Sequence, residues 1–402
     1  MKIHADALIF NRQFEALTWR IGMRDSELIQ AAAKSENIVI MGHTAAGDYL
    51  YEMLKTSCPD SRVSICDTSG TKQGAWTDTQ VLSTKEAVKR FPDAKYVLAG
   101  ITHKEAMKEQ LLSMGIPAEN IIFGVTKESL AYRDDVRAQK KYIPRTEIIF
   151  EIDLAAHCNL NCRCCSQFSP ISQKEFLDVR QMERDFARMG ELFHGTAERI
   201  FLIGGEPLLH PQVEESISIA RNYFPRGEIS LFSNGLLLLS QPDSFWQLCR
   251  EKEIGITITK YPINLDYDRI EEKLGQENIR LEYFGDSADF KYMTNLGLDE
   301  TGSQDIRYSF EHCDEANQCI KLKDGKLFTC TRPAAIHKFN DYFGKDLKVL
   351  EEDYIDIYKA DSAREILEFL AQPIPFCRYC NFNGVKHAME WGASEKKIEE
   401  WT

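Results

Sequence analysis

The sequence predicts an α/β protein built on parallel sheets, with a small cysteine-rich region after them. Short apolar strands alternate with amphipathic helices over residues 37–126 and again over residues 147–300. Such alternation is typical of parallel sheets with right-handed crossovers. Most of the 12 cysteines form two groups, one directly after the first strand of the second region and one between residues 313 and 380. This grouping predicts metal or cluster chemistry rather than a disulfide framework.

The length of the chain indicates more than one domain. At 402 residues it exceeds the size at which a single hydrophobic core keeps growing. We expect a first domain over 1–130, a linker over 131–146, a second domain over 147–300 and an extension over 301–402.

The pattern of residues 1–130 is typical of a Rossmann-like domain. Strands are expected at 37–42, 62–67, 95–100 and 120–124. The first turn contains Gly42 and Gly47, but Thr44 stands where a dinucleotide fingerprint has its middle glycine. Asp67 follows the second strand and could contact a ribose. Two interpretations therefore stay open, a nucleotide site or a docking domain that keeps the fold without the cofactor.

Residues 147–300 repeat strand and helix in the order of a partial TIM-like barrel. The expected strands cover 147–152, 199–203, 228–232, 255–259 and 278–284, and the expected helices include 178–192 and 214–223. In parallel α/β barrels the chemistry lies at the carboxyl ends of the strands. Three motifs follow such ends here, which predicts that they share one site.

The first motif places Cys158, Cys162 and Cys165 in a C-x3-C-x2-C spacing directly after the first barrel strand. Three thiolates on one loop can hold three irons of a 4Fe-4S cluster and leave the fourth iron open to a small-molecule ligand. Cys164 adjoins the third cysteine, and we expect it to pack rather than to bind iron.

The second and third motifs follow the next two strands. Gly204, Gly205, Glu206 and Pro207 form GGEP, and Ser233 and Asn234 begin an SNG turn. Glycine lets the backbone approach a ligand closely, and Glu206 could accept from an ammonium group. The cysteine triad followed by GGEP resembles the signature of the radical S-adenosylmethionine (radical SAM) enzymes.

That resemblance implies a (β/α)6 radical SAM barrel and its cofactors. S-adenosylmethionine would bind the open iron, with GGEP at its methionyl amine and with Ser233 and Asn234 near its carboxylate or ribose. Reductive cleavage would give a 5′-deoxyadenosyl radical that abstracts hydrogen from a substrate, and a flavodoxin or ferredoxin type protein would supply the electron. Tyr261 at a strand end and Trp391 beyond the last cysteines are further candidates for contact with the substrate.

The second cysteine group predicts another metal centre. Cys319 and Cys330 flank an Asp324-Gly325 turn, a strong hairpin signal, and Cys377 and Cys380 form a close pair after a predicted helix. Four thiolates suit zinc or a 4Fe-4S cluster. A hairpin followed by C-x2-C resembles the auxiliary-cluster (twitch or SPASM-like) extension of radical SAM enzymes, which favours iron-sulfur. Cys313 is a fifth cysteine that we leave outside the expected ligand set.

The charge and hydropathy of the chain restrict its partners and location. A net charge of -13 argues against nonspecific binding to nucleic acid or to an anionic membrane. No apolar run approaches the roughly 20 residues needed to cross a bilayer. The first residues lack a signal-peptide pattern, and clustered cysteines suit a reducing compartment, so we expect a cytoplasmic protein.

Three hypotheses concern the substrate. The first is a sugar or nucleotide sugar of surface polysaccharide metabolism, suggested by the Rossmann-like domain and by the sequence around Cys158. The alternative is maturation of a ribosomally made peptide, a common task of relatives with an auxiliary cluster. A third hypothesis is a non-catalytic scaffold or electron carrier, which would hold clusters without cleaving S-adenosylmethionine.

Overall fold

The computed structural model describes residues 24–67, 81–100, 104–284, 292–295, 297–381 and 387–402. The first residues, for which we expect no signal peptide, lie outside these ranges. The chain divides into two compact units, Met1–Gln139 and Lys140–Thr402. Both contain parallel sheets with helices, so the predicted α/β class is confirmed. In the described part of the chain, no helix combines the length and apolar character needed to span a membrane.

The first unit is built on one parallel sheet of five strands. The strands are β1 (Asn37–Met41), β2 (Arg62–Asp67), β3 (Leu82–Ser83), β4 (Lys95–Leu98) and β5 (Ile121–Phe123), and the helices are α1 (Asp25–Ala32), α2 (Ala45–Ser57), α3 (Thr84–Arg90), α4 (Lys104–Ser113) and α5 (Lys127–Lys141). Their order, β3-β2-β1-β4-β5, is that of the first five strands of doubly wound folds. Strand β3 was not predicted, because two residues are too few to show the alternation of a strand.

The turn after β1 explains why its sequence departs from a dinucleotide fingerprint. Thr44 caps α2, because its side-chain oxygen accepts from the Gly47 amide at 3.1 Å. A Cβ on Gly47 would lie 2.2 Å from the Gly42 carbonyl oxygen, so glycine is required there. Asp67 accepts from the His43 amide at 3.0 Å. The Asp67 carboxylate therefore fixes this turn, and ribose contact stays a prediction.

The second unit begins with five parallel strands covered by helices. The strands are β6 (Ile149–Ala155), β7 (Arg199–Gly204), β8 (Ile229–Ser233), β9 (Ile254–Thr259) and β10 (Leu281–Phe284), and the helices are α6 (Val179–Leu192), α7 (Val213–Tyr223), α8 (Asp243–Glu251) and α9 (Tyr267–Gln276). Alternate residues of β6 face the helices, where the rings of Phe150 and Phe186 lie 5.5 Å apart between centroids. Glu151 and Asp153 alternate with these residues along β6 and therefore lie on the opposite face of the sheet.

The remaining elements are one strand near the end of the second region and those of the cysteine-rich extension. They are β11 (Tyr292–Asn295), α10 (Ile306–His312), β12 (Lys321–Lys323), β13 (Lys326–Phe328), α11 (Thr331–Phe343), β14 (Ile355–Asp356), α12 (Ala363–Leu370) and β15 (His387–Glu390). The predicted hairpin is present as β12 and β13, and Asp324 and Gly325 both have positive φ, as a type I′ turn requires. Strands β11 and β15 form a separate antiparallel pair.

The extension continues the barrel sheet. Strand β12 pairs in parallel with β6, and β13 and β14 follow in antiparallel fashion, which gives the order β10-β9-β8-β7-β6-β12-β13-β14. Among the described residues this sheet has two free ends and does not close. Residues 147–300 thus supply five parallel strands of the expected partial barrel, and β12 adds a sixth parallel strand beside β6, at the end of the row opposite β10. The hairpin lies beside the strand that leads into the cysteine loop.

Candidate active site

The cysteine triad lies on the loop between β6 and a 3₁₀ turn at Ser169–Ile171. Cys162 is buried, and Cys158 and Cys165 are partly exposed. Cys158 Sγ accepts from the Leu160 amide at 3.3 Å, a local contact that fixes the start of the loop. Cys164 is also buried, as expected for a packing residue, and its φ of +56° turns the chain between Cys162 and Cys165.

Asn234 connects the end of β8 to the cysteine loop. Its side-chain amide donates to Asn159 Oδ1 at 2.7 Å and to Cys158 Sγ at 3.5 Å. The Asn234 side-chain oxygen accepts from the Leu236 amide at 3.0 Å, which holds the side chain in this orientation. The predicted SNG motif is therefore more than a turn, because it positions the first cysteine of the triad.

Both glycines of GGEP are needed for close packing of β7 against the cysteine loop. A Cβ on Gly204 would lie 2.4 Å from the Ala155 carbonyl oxygen, and φ at Gly204 is +133°. A Cβ on Gly205 would lie 2.2 Å from the His157 carbonyl oxygen and 2.9 Å from the Cys158 nitrogen. Their small size thus brings the two loops together, and approach to a ligand stays a prediction.

Glu206 is wholly buried, with 0% of its surface exposed. Its carboxylate accepts from the Ser233 hydroxyl at 2.8 Å and from the amides of Asn234 at 2.9 Å and Leu208 at 3.2 Å. Burial raises the pKa of Glu206 to about 7, although these hydrogen bonds oppose the rise. Pro207 then opens a 3₁₀ turn. Glu206 joins the loops after β7 and β8, and its expected contact with an ammonium group stays a prediction.

The strand ends meet at one cavity of about 390 Å³. Seven residues of the three barrel motifs line it: Cys158, Cys162, Cys165, Gly204, Gly205, Ser233 and Asn234. Glu206 and Pro207 do not reach its wall. The aromatic side chains of Phe232, Tyr261 and Phe284 form an apolar part of the lining, and Glu151, Ser169, Glu315 and Thr331 contribute polar groups.

The three cysteines lie close enough to influence each other electrostatically. The pKa of Cys162 is raised to about 12, mainly by burial and in smaller part by Cys165 and Cys158, while a hydrogen bond from Trp391 opposes the rise. Burial raises the pKa of Cys158 to about 12 as well. Binding to iron would offset the unfavourable ionisation of these buried thiols, because a metal-bound thiol loses its proton. Three sulfur ligands on one loop, facing one cavity, fit an iron-sulfur cluster with an open iron.

Four cysteines of the second group are buried near the start of α11: Cys313, Cys330, Cys377 and Cys380. Burial raises the pKa of Cys330, and the neighbouring thiols of Cys313, Cys380 and Cys377 raise it further. Arg332 is also buried here, and its guanidinium Nε lies 3.6 Å from Glu315 Oε2. Cys313, which the sequence prediction leaves out, thus lies with Cys330, Cys377 and Cys380.

Cys319 differs from the other cysteines of this group. It lines the cavity that contains the first triad, and after burial the largest influences that raise its pKa are Glu151 and Glu315. Within the described ranges, no three cysteine, histidine or carboxylate side chains gather closely enough to hold a single metal ion.

Two tryptophans complete the surroundings of the triad. The Trp391 indole nitrogen donates to Cys162 Sγ at 3.4 Å, and the Trp401 indole nitrogen donates to the Cys165 carbonyl oxygen at 3.0 Å. Sequence reasoning identified Trp391 only as a candidate substrate contact and missed Trp401. These contacts span more than two hundred residues, and no local pattern predicts them.

The barrel region is similar in sequence to known proteins. Residues 152–272 match the model of the Radical SAM superfamily. The GTP 3′,8-cyclase of Chlorobaculum tepidum (strain ATCC 49652 / DSM 12025 / NBRC 103806 / TLS) is 31% identical over 100 residues, which cover 25% of this chain and 29% of that protein. The chain thus spans less than a third of the length of this curated relative.

Several solved structures resemble the fold. The crystal structure of BtrN in complex with AdoMet and 2-DOIA has a TM-score of 0.39 and 16% identity, covering 61% of this chain and 96% of BtrN. The anSMEcpe structure with bound AdoMet has a TM-score of 0.36 and 12% identity, covering 58% and 82%. Streptococcus suis SuiB bound to S-adenosylmethionine has a TM-score of 0.31 and 10% identity, covering 82% and 81%.

Proposed function

We propose that this chain is an enzyme that cleaves S-adenosylmethionine reductively and abstracts hydrogen from a small hydroxylated substrate. The match of residues 152–272 to the Radical SAM superfamily model supports this reaction class. The observation that carries the proposal is that Cys158, Cys162 and Cys165 share one cavity wall with Gly204, Gly205, Ser233 and Asn234. When bound, a 4Fe-4S cluster with S-adenosylmethionine supplies one electron and a 5′-deoxyadenosyl radical. The protein provides orientation and excludes water.

The chain's own residues hold the site in shape. Asn234 fixes the orientation of Cys158 through its hydrogen bonds to Cys158 Sγ and Asn159. Glu206 connects the loops after β7 and β8, because its carboxylate accepts hydrogen bonds from the Ser233 hydroxyl and the Leu208 amide. Ser233 and Asn234 can then offer polar groups to the carboxylate or ribose of S-adenosylmethionine. This support keeps the reacting groups aligned when the substrate binds.

The substrate we propose is a sugar or nucleotide sugar of surface polysaccharide metabolism. Hydroxyl-rich molecules need several polar partners, and the cavity wall carries Glu151, Ser169, Glu315 and Thr331. Ser169 is 6% exposed, and its hydroxyl has no hydrogen-bond partner among the described residues, so it can pair with a bound molecule. The doubly wound strand order of the first unit agrees with a nucleotide-related substrate.

We further propose that Cys313, Cys330, Cys377 and Cys380 hold the auxiliary cluster. The buried Arg332 guanidinium is compatible with this assignment, because its positive charge would offset part of the negative charge of four thiolates. In this assignment Cys319 belongs to the wall of the substrate cavity. Zinc is the alternative occupant of the second group.

Anaerobic reconstitution with iron and sulfide tests the proposal. With dithionite and S-adenosylmethionine, the wild-type protein should release 5′-deoxyadenosine and methionine, and Cys158→Ala, Cys162→Ala and Cys165→Ala should not. Cys249→Ala, which changes a buried thiol of α8 outside both groups, is the matched control and should stay active. Product formation by the triad variants would refute the site, and clusters without any cleavage would favour the electron-carrier hypothesis.

A second assay separates the substrate classes. Hydrogen abstraction from a deuterated substrate transfers deuterium into 5′-deoxyadenosine, which mass spectrometry detects. Candidate sugars and nucleotide sugars should give this transfer, whereas a precursor peptide encoded nearby should not. Transfer from the peptide alone would overturn the sugar assignment and establish peptide maturation. A flavodoxin or ferredoxin with its reductase should replace dithionite.

A further inference from the structure

Residues 391–402, here called the covering segment, pair with the backbone of the cysteine loop. The Arg163 amide donates to the Gly392 carbonyl oxygen at 2.8 Å, and the Ser394 amide donates to the Asn161 carbonyl oxygen at 2.8 Å. Cys162 and Ala393 face each other in an antiparallel bridge between these two bonds. The middle of the loop is therefore held as a strand-like pair with a segment far away in the sequence.

Two further contacts anchor the covering segment at its other end. Trp401 is buried, and its indole nitrogen donates to the Cys165 carbonyl oxygen at 3.0 Å. Inside the segment, the Glu400 carboxylate accepts from the Ser394 hydroxyl at 2.6 Å and from the Glu395 amide at 2.7 Å. The covering segment is thus bound to the cysteine loop on both sides of Cys162 and at Cys165.

The covering segment also brings one side chain into contact with a sulfur atom of the triad. Trp391 donates its indole N–H to Cys162 Sγ at 3.4 Å, and its ring lies 6.1 Å from that of Tyr261 between centroids. Cys162 is 5% exposed, so water has little access to compete for this sulfur. Cys158, in contrast, receives its side-chain hydrogen bond from Asn234 of the barrel.

Hydrogen bonds to cluster sulfurs help to set the reduction potential of an iron-sulfur cluster. Reduction adds negative charge that spreads onto the sulfur ligands, and an N–H donor stabilises that charge. We propose that the covering segment is part of the cluster site and that the Trp391 N–H raises the reduction potential of the cluster held by Cys158, Cys162 and Cys165. This inference rests on the proposed function, since it requires that cluster.

The potential of the cluster in Trp391→Phe tests the proposal in the full-length, reconstituted protein. Phenylalanine keeps an aromatic ring but has no N–H. At a fixed applied potential, the ratio of reduced to oxidised cluster, followed by electron paramagnetic resonance, should fall about tenfold, which corresponds to 59 mV for one electron. Trp391→His keeps a ring N–H and should recover part of the loss.

Trp246→Phe is the matched control. Trp246 is buried in α8, and its indole nitrogen donates to the Gln241 carbonyl oxygen, away from both cysteine groups. Its reduced-to-oxidised ratio should equal that of the wild type. An unchanged ratio in Trp391→Phe would overturn the inference, whereas a wild-type protein that binds no cluster at the triad would overturn the proposed function instead.

If Trp391→Phe fails to retain iron, the contact is measured without changing Trp391. Wild-type protein is labelled with ¹⁵N in its indole rings. The Trp391 nitrogen contacts a sulfur of the triad, whereas the Trp401 nitrogen contacts a backbone carbonyl oxygen, so the stronger coupling reports on Trp391. Pulsed electron paramagnetic resonance of the reduced cluster should then show coupling to ¹⁵N. Absence of coupling would contradict the Trp391 hydrogen bond and with it the inference.

Discussion

The carboxylate of Glu206 accepts a hydrogen bond from the Ser233 hydroxyl at 2.8 Å, and neither oxygen of Glu206 reaches solvent. The contact joins the loops that follow β7 and β8, the same loops that supply Gly204, Gly205 and Asn234 to the cavity. A buried titratable group therefore supports the site from inside the protein. Its stabilising effect must depend on pH, because burial opposes its ionisation.

Glu206→Gln should remove a pH dependence of stability. Burial raises the pKa of Glu206 from 4.5 to about 7. A carboxyl group with a raised folded-state pKa stabilises the fold fully at low pH and loses that contribution as the pH rises to about 7. The free energy of unfolding of the wild type should therefore fall by about 3 kcal/mol relative to that of Glu206→Gln between pH 4.5 and pH 8.

Urea denaturation of the reduced, metal-free protein across this pH range measures the difference. Glu351→Gln changes an exposed carboxyl group, and its free energy of unfolding should follow that of the wild type at every pH. Parallel curves for the wild type and Glu206→Gln would contradict a buried group that titrates near neutrality.

Gly205→Ala should disturb the cysteine loop directly. The added Cβ would lie 2.2 Å from the His157 carbonyl oxygen, so the backbone before Cys158 must move. Overpacking of this kind costs roughly 1 to 3 kcal/mol of stability. Less iron should remain bound after reconstitution and desalting, as measured by iron analysis.

Gly275→Ala is the control for Gly205→Ala. Gly275 lies in α9, and its added Cβ would meet no heavy atom within 4 Å. Alanine is the better helix residue by roughly 0.5 to 1 kcal/mol, so this variant should be slightly more stable and should keep its iron. Equal iron content in the two variants would show that the cysteine loop tolerates displacement.

Local patterns in the sequence predicted the elements that carry the site. The strands that end before the cysteine triad and GGEP are present, and the Asp324-Gly325 turn forms the expected hairpin. These features depend on residues close together in the chain, where hydrophobic period and turn chemistry are visible. The predicted helix 178–192 is also present, with Asp178 as the cap that begins it.

Local sequence patterns could not predict the long-range contacts. Trp391 and Cys162 are 229 residues apart, and nothing near either residue indicates that they meet. The same holds for the pairing of β12 with β6, which joins the extension to the barrel. The glycines of GGEP were expected at the ligand, but their packing against the backbone of Ala155 and His157 depends on the spacing of two loops.

Cys313→Ala and Cys319→Ala should have different effects on metal content. Cys313 lies among the buried thiols of Cys330, Cys377 and Cys380, whereas Cys319 lines the cavity that also contains Cys158, Cys162 and Cys165. A protein with two 4Fe-4S clusters binds about eight irons. Cys313→Ala should retain about four, and Cys319→Ala should retain about eight.

Iron and zinc analysis of the reconstituted variants decides between the two cysteines. The reverse result would restore the ligand set expected from the sequence, with Cys319 in place of Cys313. One zinc and four irons in the wild type would assign the second group to zinc. Cys66→Ala serves as the control, since this buried thiol belongs to the first unit and should leave the metal content unchanged.

Lys321→Met should destabilise the second unit strongly. Lys321 is 1% exposed, and its ammonium group lies 2.7 Å from Asp153 Oδ1 and 2.9 Å from Glu151 Oε2. Burial would raise the pKa of Asp153, but the Lys321 ammonium outweighs it and holds that pKa below its usual value. Removing the ammonium leaves two carboxylates without their shared partner, which costs about 3 kcal/mol or more when such a group is buried.

Because β12 carries Lys321 and β6 carries both carboxylates, this ion pair also holds the hairpin against the strand that leads into the cysteine loop. Lys321→Met should therefore lose iron from the triad as well as stability, and Arg364→Ala, which breaks an exposed pair with Glu368, should change neither. Replacing all three charged residues with neutral ones should recover part of the stability, since no carboxylate then remains unpaired. A single variant Lys321→Met as stable as the wild type would show that the hairpin is held by its backbone pairing alone.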